Sequence, residues 1–170
     1  METTLVETEV TPEAAALWTR IEGFLKGELT LAEVEGMTWE QAQVIAEAGC
    51  ELAENGRLEE ARVLFEGLVE MNSRDAAAHA ALGTVYQKLS LLPEALSSYS
   101  TAIALDPFHP VALANRGELR LLGGDGEGYR DLQSAVASDP KGETAAGARA
   151  AAWIAAIAQA SVAPTEKQSD

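Results

Sequence analysis

Few side chains in this sequence have the chemistry for catalysis or metal binding. Cys50 is the only cysteine among 170 residues, and His79 and His109 are the only histidines. A nucleophilic thiol needs a base or a cation beside it to hold it as thiolate, and no histidine, lysine or arginine stands close to Cys50 in sequence. Zinc takes three or four protein ligands, and neither histidine has partners at ligand spacing. The acids Glu51 and Glu54, and the pair Glu59-Glu60, read as a solvated helix face rather than as an acid–base couple. Gly123-Gly124-Asp125-Gly126 is rich enough in glycine for a phosphate loop, but no strand precedes it, so it reads as a turn. The expectation is a protein that is not an enzyme, with no catalytic residue, no metal and no cofactor.

The charge narrows the partners. Twelve basic and 27 acidic residues give a net charge of −15, which repels nucleic acid and anionic lipid. The acidity is spread along the chain, so it suits a protein that stays dispersed while holding a sticky client. No apolar run is long enough for membrane insertion. The opening Met1-Glu2-Thr3-Thr4-Leu5-Val6-Glu7 is acidic where a signal peptide would be basic. With a single cysteine no internal disulfide forms, and the expected location is cytoplasmic.

Stepping along the chain at an interval of about 34 residues exposes an internal repeat. Ala76 to His109 carries Leu82-Gly83, Tyr86, Ala95, Tyr99, Ala102 and Asp106-Pro107. One interval back, Gly83 falls on Gly49, Ala95 on Ala61, Tyr99 on Phe65 and Ala102 on Leu68. One interval forward, Gly83 falls on Gly117. The register then slips by one residue near Gly123-Gly124, so that Gly128, Leu132, Ala135 and Asp139-Pro140 take the later places. Glycine within a helix costs about 1 kcal/mol, which is tolerable where a neighbouring helix must come close. Phe65, Tyr99 and Leu132 fill the space between helices. Asn55-Gly56 and Gly123-Gly124 read as helix ends, and Pro107 and Pro140 as stops. Ser73 stands in the proline's place in the first unit, where a weaker stop is expected.

These positions resemble the tetratricopeptide repeat (TPR), each unit a pair of helices. The resemblance implies an all-α fold, a right-handed α-solenoid of three TPR units at residues 42–75, 76–109 and 110–140. Residues 1–10 are expected to be flexible and residues 11–41 to form an N-terminal helical region. Thr11-Pro12 starts a helix there, a short helix follows near Thr30 to Glu35, and Thr38-Trp39-Glu40-Gln41 reads as a capping box. A C-terminal capping helix with Trp153, Ile154 and Ile157 is expected at 141–162, and a disordered tail at 163–170. His79 falls where such units place a large packing residue; His109 falls in a solvated turn.

In a TPR array the first helix of each pair lines a concave surface. The register puts Gln43, Ala46, Cys50 and Ala53 there from the first unit, Ala77, Ala80, Thr84 and Gln87 from the second, and Val111, Ala114, Glu118 and Leu121 from the third. Together they describe a shallow apolar trough for an extended peptide. Ala46, Ala80 and Ala114 share one repeat position and would form its floor. TPR domains that bind the acidic C-termini of heat-shock chaperones use a clamp of cations and asparagine. Here Ala46, Cys50, Ala81, Val111 and Asn115 occupy those inner positions, so that peptide class is not expected.

The layout is also similar to the class II chaperones of bacterial type III secretion, the SycD/LcrH-like family, which hold translocator proteins in the cytoplasm. Gly56-Arg57-Leu58-Glu59-Glu60-Ala61-Arg62-Val63-Leu64-Phe65-Glu66-Gly67-Leu68 resembles their first repeat and Leu82-Gly83-Thr84-Val85-Tyr86-Gln87 their second. The resemblance spans roughly Leu29 to Ile157. It implies a chaperone holding an extended apolar segment of a secreted, translocator-like protein client in its concave groove. It also implies a homodimer through the apolar face of Leu17, Trp18, Ile21 and Leu25; packing of that face on the first repeat is the alternative. Ala46, Cys50 and Ala53 replace the family's inner aromatic residues, so wider pockets are expected, and Gly128 with its glycine-rich turn is expected to loosen the third unit. The competing reading is a general TPR adaptor or scaffold that assembles a bacterial cytoplasmic or envelope complex.

Overall fold

The structure, a computed structural model, describes residues 11–26 and 38–162. Residues 1–10, the expected short helix at 30–35 and residues 163–170 lie outside the described residues. The described residues form eight helices and no strand. They are α1 (Pro12–Leu25), α2 (Trp39–Glu54), α3 (Leu58–Met71), α4 (Ala76–Lys88), α5 (Leu92–Leu105), α6 (Pro110–Leu122), α7 (Gly128–Ser138) and α8 (Ala145–Val162). Helices pack in pairs, α2 with α3, α4 with α5 and α6 with α7. The first helices of successive pairs approach one another, α2 to α4 and α4 to α6, more closely than the second helices do. The array therefore curves with α2, α4 and α6 inside, as a solenoid of repeats does.

Local chemistry explains the helix ends. Thr38 caps α2 and exchanges bonds with Gln41, as a capping box requires. Each pair turns through the same backbone bond: Arg57 N donates to Leu52 O, Leu91 N to Tyr86 O, and Asp125 N to Arg120 O. The turn residue has positive φ, at Gly56 (78°), Ser90 (63°) and Gly124 (83°). Asn72, Asp106 and Asp139 follow α3, α5 and α7, and each side-chain oxygen accepts a backbone N–H downstream, from Arg74, Phe108 and Glu143. The first unit therefore ends in the same Asx turn as the second without needing a proline, whereas Asp139 reaches further, to Glu143 and Thr144 before α8.

The units meet through small residues. A Cβ on Gly83 would lie 2.7 Å from the Tyr99 ring, and one on Gly117 would lie 2.8 Å from the Gly128 carbonyl oxygen. Gly128 thus brings the α6 and α7 backbones into contact rather than loosening the third unit. The lost residue falls just after Gly124 and removes the first turn of the second helix: α7 has 11 residues where α3 and α5 have 14. Asp131 of α7 is buried between Arg116 (2.7 Å) and Arg120 (3.0 Å) of α6, which supplies a charged tie to the shortened pair.

Ile21 of α1 is buried in one cluster with Ile45, Leu64 and Phe65, so α1 packs on the first unit. Of the two alternatives for this face, Ile21 follows packing on the first repeat, while Trp18 on the same helix remains exposed. Leu17 and Leu25 also lie on α1.

Candidate functional site

Among the described residues, three adjoining depressions lie along the inner surface. The first, about 340 Å³, is lined by Trp39, Ala42, Gln43, Ala46, Cys50, Phe65, Leu68, Asp75, Ala77, Ala78 and Ala81. The second, about 320 Å³, runs from Cys50 and Ala53 past Ala77, Ala80, Ala81, Thr84 and Lys88 to His109 and Val111. The third, about 360 Å³, opens along the edge of α2 over Gln43, Ala46, Glu47, Cys50, Glu51 and Glu54. Cys50 borders all three, so they form one groove from the exposed indole of Trp39 to Val111 at the start of α6. Its floor is small and apolar because the inner positions of α2 and α4 are mostly alanine.

Eight of the twelve residues expected in the trough are brought together there: Gln43, Ala46, Cys50, Ala53, Ala77, Ala80, Thr84 and Val111. Their openness differs. Gln43, Cys50, Ala77 and Val111 are exposed, and Ala46, Ala53 and Thr84 half-buried. Ala80 borders the second depression but is only 2% exposed and packs in one cluster with Ala112 of α6. Ala114 is fully buried in a cluster with Ala146 and Ala150 of α8. A common alanine floor at Ala46, Ala80 and Ala114 is therefore corrected: the repeat position opens at Ala46 and closes at the other two, where the next inner helix covers it.

The third unit departs further. Leu121 packs into the α6–α7–α8 core. Glu118 pairs with Arg149 of α8 at 2.5 Å, and Arg149 also donates to the Asn115 side chain. Gln87 accepts from the Tyr99 hydroxyl (2.8 Å), which itself accepts from Asn115 (3.0 Å). These bonds join α4, α5, α6 and α8 in one polar chain, and burial pushes the Tyr99 hydroxyl pKa up. Gln87, Ala114, Glu118 and Leu121 are thus structural, because α8 lies against α6 as well as α7 and occupies the inner side of the third unit. Arg149 is the only charged residue of α8; a lone cation in an alanine-rich helix was the signal that α8 reaches a partner on its inner side.

Other side chains take roles that spacing along the chain did not reveal. Trp39 is 69% exposed at the groove's end, although its place in a capping box marks only a helix start. His109 is the N-cap of α6, its Nδ1 accepting from Ala112 N at 3.3 Å, rather than a solvated turn residue. His79 is half-buried and bonded to the Ser73 carbonyl (3.1 Å), so it ties down the preceding loop instead of filling the core. Burial pushes the Cys50 thiol up, with Glu54 and Glu47 adding to the effect; a protonated thiol is a poor nucleophile. Among the described residues no group of three or more histidine, cysteine or acidic side chains is placed to hold a metal ion. No helix among them is long and apolar enough to cross a membrane.

Residues 47–110 match the family model of the tetratricopeptide repeat. No curated protein sequence matches the chain. Several solved structures share its fold. PcrH from Pseudomonas aeruginosa is 26% identical, with a TM-score of 0.66 over 74% of this chain and 97% of its own. PcrH has also been solved in complex with the chaperone-binding region of PopD. A type III secretion complex from Aeromonas hydrophila is 25% identical, with a TM-score of 0.66 over 84% of this chain and 97% of its own. The translocator chaperone SycD of Yersinia enterocolitica, at 19% identity, matches in fold with a TM-score of 0.66 over 77% of this chain and 92% of its own. Residues 47–110 thus match the tetratricopeptide repeat, a protein-binding module, and the chain is similar in structure to PcrH and, in fold, to the translocator chaperone SycD.

Proposed function

We propose that this protein is a cytoplasmic chaperone that holds an extended apolar segment of a secreted, translocator-like client in the groove between Trp39 and Val111. The observation that carries this reading is that the two main depressions share Cys50, Ala77 and Ala81, which links the apolar surfaces of two repeat units. An apolar concavity of this kind is stabilised by an occupant that removes it from water. Extended backbone suits it, since small floor residues let a peptide chain approach closely. The groove ends where α8 crosses the third unit, so the held segment spans two units rather than three.

Ala77 is exposed and floors both main depressions, so Ala77→Arg tests the reading. The variant should melt within about 0.5 kcal/mol of the parent, as exposed substitutions do. It should hold its client about thirtyfold more weakly, the effect of losing a central contact worth about 2 kcal/mol. Co-expression with the translocator of the same genome, followed by measurement of the soluble fraction and of affinity, provides the check. Equal affinity in parent and variant would place the client elsewhere.

A further inference from the structure

We infer that the held segment carries lysine or arginine beside its apolar anchors, so that the client is an apolar peptide with a basic flank lying over α2. This rests on the groove reading above and adds the charge of the occupant. Glu47, Glu51 and Glu54 edge the depression that shares Cys50 with the other two. Successive turns of α2 place these carboxylates on one helix face, where like charges repel. Among the described residues none of the three forms an ion pair. On the adjoining α3, Glu60 pairs with Arg57, and Glu59 and Glu66 pair with Arg62, while among the described residues Glu70 at its end has no ion pair. Three of the four acids of that outer helix are thus neutralised, whereas the row along the apolar groove is left open.

Burial pushes the Cys50 thiol up, and Glu54 and Glu47 push it further while Lys88 opposes them. A low-dielectric wall beside the carboxylates focuses their field into the groove, and the net charge of −15 draws a basic segment from a distance. Lys88 borders the second depression together with Glu54, and its Nζ donates to the Ala53 carbonyl of α2 at 3.2 Å. Lys88 thus lies beside Glu54 rather than Glu47 or Glu51, which places the basic flank over Glu47 and Glu51. Apolar contacts supply the common affinity, and the acids select among apolar segments.

Three acetylated, amidated peptides test this. They share an extended core of about ten residues alternating alanine, leucine and valine, and end in lysines, serines or glutamates. Affinity is measured by titration, and occupancy of the groove by the rate at which iodoacetamide alkylates Cys50, the only cysteine. The lysine peptide should bind about tenfold tighter than the serine peptide at low salt, and the glutamate peptide more weakly still. The lysine advantage should shrink as salt rises and vanish in the exposed triple variant Glu47→Gln/Glu51→Gln/Glu54→Gln, whose melting confirms the fold. All bound peptides should slow Cys50 alkylation. Lysine and serine peptides that bind equally while protecting Cys50 would overturn the charge inference and leave the groove reading standing. Lysine peptide that binds without protecting Cys50 would overturn the inference as well. No binding and no protection by any peptide would overturn both.

Discussion

Ala80→Arg should unfold the middle of the array, unlike the Ala77→Arg change three residues earlier. Ala80 is 2% exposed and shares its cluster with Ala95, Tyr99, Ala102 and Ala112. No space there accepts a longer side chain. Overpacking alone costs about 1–3 kcal/mol, and removing a guanidinium from water without a partner costs several more. The sum, about 4 kcal/mol or more, is a large share of the 5–15 kcal/mol typical of a domain. Urea denaturation of Ala80→Arg and Ala77→Arg side by side measures the difference. A midpoint for Ala80→Arg within 1 kcal/mol of the parent would show that Ala80 opens into the groove and that α4 is rotated relative to this structure.

The second large effect is expected at Gly83. On an exposed helix, glycine to alanine would stabilise by about 1 kcal/mol. Here the new Cβ would sit 2.7 Å from the Cδ1 and Cε1 atoms of Tyr99. The ring has nowhere to go: it is fully buried, and its hydroxyl is tied to Thr84, Gln87 and Asn115. Relief would require either breaking that polar chain or separating α4 from α5. Gly83→Ala should therefore destabilise by about 2–4 kcal/mol, in the range of severe core overpacking. In a Tyr99→Leu background the same change should cost at least about 1 kcal/mol less, because the obstacle is gone. Additive effects in that cycle would show that something other than the Tyr99 ring opposes the methyl.

Both effects arise from the repeat, which was legible because its residues act locally and recur. Gly49, Gly83 and Gly117 pair with Phe65, Tyr99 and Leu132 across each helix pair, and a fixed interval along the chain suffices to match them. The turn glycines Gly56 and Gly124 follow from their need for positive φ. Ser90 carries no such signal, because serine seldom adopts that conformation. It does so here because the bond from Leu91 N to Tyr86 O closes the helix end in the same way as in the other units. The first two units of the groove were legible for the same reason as the helices: Cys50, Ala53, Ala77 and Thr84 follow from register. The third unit was not. Whether Ala114, Glu118 and Leu121 face a ligand depends on where α8 lies, and that is settled by Arg149 meeting Glu118 and Asn115 from 31 and 34 residues away. Spacing within a repeat carries no information about a partner outside it.

If the inner groove between Trp39 and Val111 holds the client segment, a probe on its floor will meet that segment and one on the outer surface will not. Photo-crosslinking in the native cell tests it most directly, with a photoreactive side chain placed either at Ala77, on the groove floor, or at Ser97, exposed on the outer helix α5. Mass spectrometry of the products identifies the peptide captured at each position. The account predicts one dominant client cross-linked through an apolar, extended segment at Ala77 and little capture at Ser97. Efficient capture of the same client at Ser97, with none at Ala77, would contradict it and place the binding surface on the convex side.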